Sequence, residues 1–132
     1  MATIHNETAI DAPAAQVWAV LAAVGEAHKA FAGVLSGCSL EREDLRVATF
    51  VNGLVVKERI ISVDPARMRI AYTVIESEFE HHSASMQISA TSDRACRFIW
   101  ITDVLPHQAA EMVRPLMEEG ARALKRNVET SR

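Results

Sequence analysis

The stretch NGLVVKERIISVDPARMRIAYTVIES, residues 52–77, decides the fold. It opens with Asn52-Gly53, a pair that tolerates the positive φ angles of a tight hairpin turn. Two runs rich in branched and aromatic residues follow, Leu54–Val63 and Met68–Ile75, separated by the turn signal Asp64-Pro65. Links this short join antiparallel neighbours, because parallel strands need a long crossover. The stretch therefore predicts consecutive strands of an antiparallel sheet.

The same pattern of strand-forming runs separated by short turns continues on both sides of this stretch. Strand-forming residues alternate with short breaks such as Glu43-Asp44 and Ser92-Asp93. The further predicted strands are Thr3–Ile10, Leu35–Arg42, Leu45–Val51, His82–Ala90 and Ala95–Val104. With the two strands above, they predict a seven-stranded antiparallel sheet.

Two short helices are predicted between the first strand and the second. Asp11 is expected to cap the first helix, and apolar residues recur at helical spacing until Gly25 ends the run. A second helical piece, Glu26–Ala32, follows.

A long helix is predicted at the end of the chain, from about Pro106 to about Val128. Gly120 has no side chain and should leave a gap on the buried side of this helix. The apolar residues form one stripe at three- and four-residue steps, namely Ala109, Met112, Val113, Leu116, Met117, Ala121, Leu124 and Val128. This order of elements predicts an α+β domain in which the last helix covers the concave face of a curved sheet.

Length and composition restrict the function. The chain has 132 residues, the length of one domain, so a single domain is expected over residues 1–132. A formal net charge of -3 with scattered basic residues argues against nucleic-acid binding. No apolar run is long enough to span a membrane, and the start MATIHNETAI lacks the features of a signal peptide. A cytoplasmic protein is expected, with Cys38 and Cys96 as reduced thiols.

No metal or cofactor site is predicted. His81 and His82 are adjacent in a strand, so their side chains diverge and cannot chelate one ion. The other histidines show no ligand spacing, and phosphate-binding and dinucleotide-binding glycine motifs are absent from the sequence.

The charged triplet Lys57-Glu58-Arg59 lies in the middle of a predicted strand. Successive strand side chains point to opposite faces, so one face takes Glu58 and the other takes both cations. Burying one charge that has a partner costs less than burying two without, and Glu58 is therefore predicted to face inward. A two-residue turn at 52–53 would pair Arg46 with Arg59, whereas a three-residue turn with a bulge would bring Arg46 to the face of Glu58.

Four segments together resemble a known superfamily. They are IDAPAAQVWAVLA (10–22), the opening stretch (52–77), CRFIWITDV (96–104) and MEEGARALKRNVE (117–129). In this order they resemble the SRPBCC domains, which are START-like, helix-grip proteins related to the birch pollen allergen. The polyketide cyclase/dehydrase-like branch is the most similar, although this chain has HKAFAG (28–33) where relatives commonly carry W-x-P.

The resemblance implies a helix-grip fold, a seven-stranded sheet wrapped around the C-terminal helix, with a cavity for an apolar or amphipathic small molecule. It also favours the turn that pairs Arg46 with Glu58, since both match polar positions of this branch. Trp18 and Trp100 match its aromatic positions. No shared catalytic residue is implied, because the superfamily includes carriers, receptors and enzymes.

Inward-facing parity and the resemblance together predict a ligand site. Its walls would be Trp18, Phe31, Tyr72, Met86, Phe98, Trp100, Met112 and Leu116, with Gly120 leaving space and Arg46, Glu58 and His82 supplying polarity. The Arg46–Glu58 pair is either a structural bridge within the sheet or a polar anchor for the ligand.

Three functions remain open from the sequence. The first is a binding protein for a small apolar or amphipathic ligand. The second is a cyclase or dehydratase, in which Glu58 or His82 would be the base and Arg46 or Tyr72 the donor to an enolate. The third is a protein-interaction adaptor, for which outward-facing Ile99 and Ile101 are the only sign. The same two residues would alternatively pack in a homodimer, so a monomer and a homodimer both remain open.

Overall fold

The computed structural model describes residues 2–131. Its strands are β1 (Ala2–Ile10), β2 (Leu35–Arg42), β3 (Leu45–Phe50), β4 (Val55–Asp64), β5 (Arg69–Ile75), β6 (His81–Ala90) and β7 (Cys96–Leu105). Its helices are α1 (Ala14–Ala22), α2 (Ala27–Ala30) and α3 (Ala110–Thr130), with 3₁₀ turns at Val24–Glu26 and His107–Ala109. The predicted elements are confirmed, and the strand ends differ from the predicted ones by a residue or so.

All seven strands form one antiparallel sheet in the order β1-β7-β6-β5-β4-β3-β2. Five hairpins join β2 through β7 in sequence, and β1 pairs with β7 along its whole length, from Ala2 opposite Val104 to Ile10 opposite Cys96. The antiparallel helix-grip prediction is therefore confirmed. The curved sheet holds α3 against its concave face.

The β3–β4 hairpin resolves the turn that the sequence left open. The Phe50 N–H donates to the Leu54 carbonyl at 2.8 Å, and the Gly53 N–H donates to the Phe50 carbonyl at 2.9 Å. Gly53 has φ of 94°, a conformation that favours glycine. The loop thus holds three residues, and this register places Arg46 directly opposite Glu58.

Helix α3 packs through its apolar stripe. Ala121, Leu124 and Val128 join the main core with residues of β5, β6 and β7, such as Ile70 and Phe98. A smaller cluster near the start of α3 combines Ile4 and Val104 of the sheet with Ala109, Ala110, Val113 and Met117. The amphipathic pattern therefore predicted the buried side of α3 correctly, except that Met112 is exposed and Leu116 is half-buried.

Three details at helix ends differ from the sequence-based expectations. Pro13, and not Asp11, occupies the N-cap position of α1, and no side chain caps the helix. The Asp11 N–H instead donates to the Glu129 carboxylate at 2.8 Å, so this region is held against α3. Helix α1 ends at Ala22, and Gly25 lies in the following 3₁₀ turn, where an added Cβ would come 2.9 Å from Leu40.

Within residues 2–131, no helix has the length and apolar character that a membrane crossing requires.

Candidate functional site

A cavity of about 580 Å³ lies between the sheet and α3. Its walls come from one end of the sheet, where β3, β5 and β7 finish and β4 and β6 begin, and from the first half of α3. Phe31 and Leu35 close it from the side of α2. The volume falls in the range of sites that hold a drug-sized molecule.

A buried ion pair lies in the cavity wall. Arg46 Nε donates to Glu58 Oε1 at 2.7 Å, and the two side chains are 5% and 14% exposed. Arg46 Nη1 also donates to the Val24 carbonyl at 3.3 Å. The pair is therefore held by β3, β4 and the turn after α1, and the predicted inward orientation of Glu58 is confirmed.

The charge on Arg46 depends on this partner. Burial alone would lower the pKa of the guanidinium, but the Glu58 carboxylate attracts the positive charge and hydrogen-bonds to it. The net pKa of Arg46 lies above its ordinary value, so the group stays charged. Its counter-charge is Glu58, and the two together form a neutral unit.

Tyr72 lies beside the ion pair. The Arg46 guanidinium lies 5.3 Å from the centroid of the Tyr72 ring, within the range of a cation–π contact. The Trp100 indole N–H donates to the Tyr72 hydroxyl at 3.3 Å. Burial, and secondarily the Glu58 charge, raise the pKa of Tyr72. The hydroxyl therefore keeps its proton and accepts one hydrogen bond while remaining able to donate one.

His82 contributes a neutral imidazole to the wall. Burial, and secondarily the neighbouring His81, lower its pKa to about 4. Its ring lies 5.9 Å from that of Phe79, centroid to centroid. At neutral pH it is uncharged, so it offers hydrogen bonding and apolar contact but no positive charge.

The mouth of the cavity combines apolar and acidic groups. Leu54, Val55 and Met112 line it and are 46%, 55% and 65% exposed. Glu76 and Glu78, from the loop between β5 and β6, lie at the same opening.

Gly120 is part of the wall, and the space beside it is occupied. A Cβ at this position would lie 2.9 Å from the Trp100 ring. Trp100 also contacts Phe31 and Phe98, each with a centroid distance of 5.8 Å. The predicted gap therefore exists, and it accommodates the Trp100 indole rather than enlarging the void.

Most of the residues proposed from the sequence come together here. Those that line the cavity are Phe31, Arg46, Glu58, Tyr72, His82, Met86, Trp100, Met112, Leu116 and Gly120. Trp18 and Phe98 do not line it, which corrects their proposed place in the wall. Trp18 on α1 packs half-buried against the core, and Phe98 is fully buried opposite Thr8 and Ile88, deeper in the sheet than Trp100.

Several wall residues escaped the sequence reasoning. They are mainly the hairpin residues Phe50, Leu54 and Val55, the last residue of β5 with the loop residues 76–79, and Thr102 of β7. Thr102 is two residues from Trp100 and lies on the same face of the strand. The alternation of side chains along β7 was therefore enough to predict that Thr102 faces inward. The loop residues reach the mouth through the tertiary fold, and no local pattern marks them.

The arrangement suits hydrogen bonding better than proton abstraction. A general base works best with a pKa near the working pH. His82 has a pKa far below that value, and Glu58 is engaged with Arg46. Across residues 2–131, no three His, Cys, Asp or Glu side chains gather where they would hold a metal ion.

The family comparison gives one match over nearly the whole chain. The model of the family described as polyketide cyclase/dehydrase and lipid transport matches residues 1–129. The search of curated proteins finds no match.

Solved structures with similar folds come from several sources. A START superfamily protein from Mycobacterium smegmatis has a TM-score of 0.82 at 16% identity, over 98% of this chain and 99% of that one. A truncated norcoclaurine synthase from Thalictrum flavum has a TM-score of 0.74 at 20% identity, over 96% and 92%. The di-domain ARO/CYC protein BexL, from the BE-7585A biosynthetic pathway, has a TM-score of 0.86 at 17% identity, over 98% of this chain and 47% of BexL. At these identities the similarity concerns the fold.

Proposed function

The chain belongs to the polyketide cyclase/dehydrase and lipid transport family, and from that premise we propose that it binds a small apolar or amphipathic molecule in the cavity between the sheet and α3.

The observation that carries this proposal is the cavity itself. Protein interiors are normally packed as densely as organic crystals, and voids in an apolar core reduce stability. When only water fills a cavity of about 580 Å³, the apolar side chains in its wall lose the packing contacts of a solid core. Binding a ligand offsets that loss, which is the physical reason to expect one.

The chemistry of the wall suggests how the ligand would lie. Phe31, Met86 and Leu116 offer apolar contact, and the methionine side chain adapts to irregular shapes. Tyr72 and the Arg46–Glu58 pair offer polar contacts on one side. A ligand with an apolar body and a polar group directed at Tyr72 fits this distribution.

A cyclase or dehydratase reaction in the same cavity is less well supported. It would need a base for an acidic C–H proton, and both sequence-based candidates have drawbacks as bases. Glu58 is hydrogen-bonded to a guanidinium, and His82 has a pKa of about 4. We therefore propose binding as the function and treat catalysis as an activity to be tested with candidate poly-carbonyl substrates.

The proposal is tested by fluorescence titration with N-phenyl-1-naphthylamine, an uncharged dye that brightens in apolar surroundings. Ala48 is buried in the cavity wall, so Ala48→Phe should fill part of the void and weaken dye binding by about tenfold or more. Ala19→Phe, on the exposed side of α1, is the matched control and should bind as the unmodified protein does. Absence of dye binding, or equal binding by a correctly folded Ala48→Phe variant, would reject the proposal.

A further inference from the structure

The positive charges in the cavity wall are already paired. Arg46 Nε lies 2.7 Å from Glu58 Oε1. Lys57 Nζ lies 3.1 Å from Glu76 Oε2 and 3.3 Å from Glu41 Oε1. Among the described residues, Arg46 and Lys57 are the only Lys and Arg residues of the cavity lining. His82 adds no positive charge at neutral pH, because burial lowers its pKa to about 4.

Negative charge is in slight excess over the same surface. Three carboxylates line the cavity, Glu58, Glu76 and Glu78, against the two cations Arg46 and Lys57. The inner pair is neutral as a unit, so the excess carboxylate lies at the mouth, where an entering molecule first meets the protein.

An anionic group inside this cavity would lose its hydration without gaining a counter-charge. Desolvating a charged group is costly unless it is paired. The charge of Arg46 is already neutralised by Glu58 at 2.7 Å, so an anion beside the guanidinium would also lie beside a carboxylate and would meet a pair with no net charge. Like-charge repulsion from the mouth would add to that cost.

Resting on the proposed binding function, we propose that the cavity selects an uncharged amphipathic ligand and discriminates against an anion of the same shape, such as a carboxylate, sulfonate or phosphate. The polar group that it recognises is a neutral hydrogen-bond acceptor, such as a carbonyl or ether oxygen. Tyr72 would donate to it, because its hydroxyl keeps its proton and already accepts from Trp100. The site thus differs in kind from an anion-binding pocket, in which an unpaired Arg or Lys faces the ligand.

A pair of dyes with one skeleton tests this selectivity. N-phenyl-1-naphthylamine is uncharged, and 8-anilino-1-naphthalenesulfonate adds a sulfonate to the same ring system. The unmodified protein should bind the uncharged dye about tenfold or more tightly than the sulfonate at neutral pH. Equal or tighter binding of the sulfonate would overturn the inference while leaving the proposed binding function intact. Binding of neither dye would reject both.

Glu58→Gln gives the sharper comparison. Glutamine keeps an oxygen that accepts from Arg46 but removes the negative charge, so the guanidinium becomes an available cation. The ratio of the sulfonate affinity to the uncharged-dye affinity should then rise about tenfold over that of the unmodified protein. An unchanged ratio of the two affinities in a folded variant would contradict the inference.

Glu78→Gln covers the case in which Glu58→Gln fails to fold. Glu78 is exposed at the mouth, so its replacement leaves the core untouched. Here the sulfonate affinity should rise by about twofold, and this rise should shrink at high salt because an exposed charge is screened. A sulfonate affinity that does not change would count against the role of the acidic mouth.

Discussion

Arg46 and Glu58 form a largely buried ion pair that joins β3 to β4. In the order Lys57-Glu58-Arg59, either Glu58 or the two cations face the interior. Burying one paired charge costs less free energy than burying two unpaired ones, and this difference predicted correctly that Glu58 faces inward. The structure confirms both the orientation and the partner, at 2.7 Å. The loop length was beyond that argument, because a two-residue and a three-residue turn both fit Asn52-Gly53. Resemblance, not local chemistry, favoured the right alternative.

Arg46→Ala should lower the free energy of unfolding by about 2 kcal/mol or more, because it leaves a largely buried carboxylate unpaired. It also removes the hydrogen bond to the Val24 carbonyl. Urea unfolding measures the change. Arg42→Ala is the matched control: Arg42 pairs with Asp44 at 3.4 Å, with both side chains more than half exposed, and its loss should cost about 1 kcal/mol or less.

The double variant Arg46→Met with Glu58→Leu should recover much of the stability that Arg46→Ala loses. Both charges disappear together, and apolar side chains of similar size take their place. If the double variant has an unfolding free energy no higher than that of the less stable single variant, the two charges are not energetically coupled.

At the scale of elements, periodicity predicted the sheet and α3 well because each buries one face only. The alternation in the strands and the stripe on α3 both follow from that condition. Helix ends were less predictable. Asp11 has the chemistry of a cap, but the helix begins three residues later, after Pro13, and Glu129 of the distant α3 binds the Asp11 N–H. A contact over such a sequence separation leaves no local signal.

Gly120 couples the packing of α3 to the shape of the cavity, because it lies in the cavity wall against the Trp100 ring. Gly120→Ala would gain about 1 kcal/mol of helix propensity but would place a Cβ 2.9 Å from the Trp100 ring. The ring must then move toward the cavity, and overpacking costs about 1–3 kcal/mol. We expect a net loss of about 1 kcal/mol in unfolding free energy and about threefold weaker binding of N-phenyl-1-naphthylamine.

Gly37→Ala provides the comparison for that variant. A Cβ at Gly37 in β2 would meet nothing within 4 Å, so stability and dye affinity should stay within error of the unmodified protein. If Gly120→Ala behaves like Gly37→Ala, the contact between α3 and Trp100 does not shape the cavity.

For the whole molecule, the sequence predicted which residues face inward but not how deep each one lies. Phe98 and Trp100 share one face of β7, yet Trp100 lines the cavity and Phe98 is buried in the solid part of the core. Parity cannot separate them, because it reports the face and not the position along the curved sheet. Whether the interior is solid or hollow is likewise set by how α3 and the loops pack, which no single segment encodes.

Ligand binding in the cavity is tested most directly by native mass spectrometry of the freshly purified protein, repeated after incubation with N-phenyl-1-naphthylamine. We expect one bound small molecule per chain, either co-purified or added, that is released when the protein is denatured. Ala48→Phe should carry markedly less of it. A spectrum that shows only the unliganded chain in both preparations would contradict the claim that this cavity is a binding site.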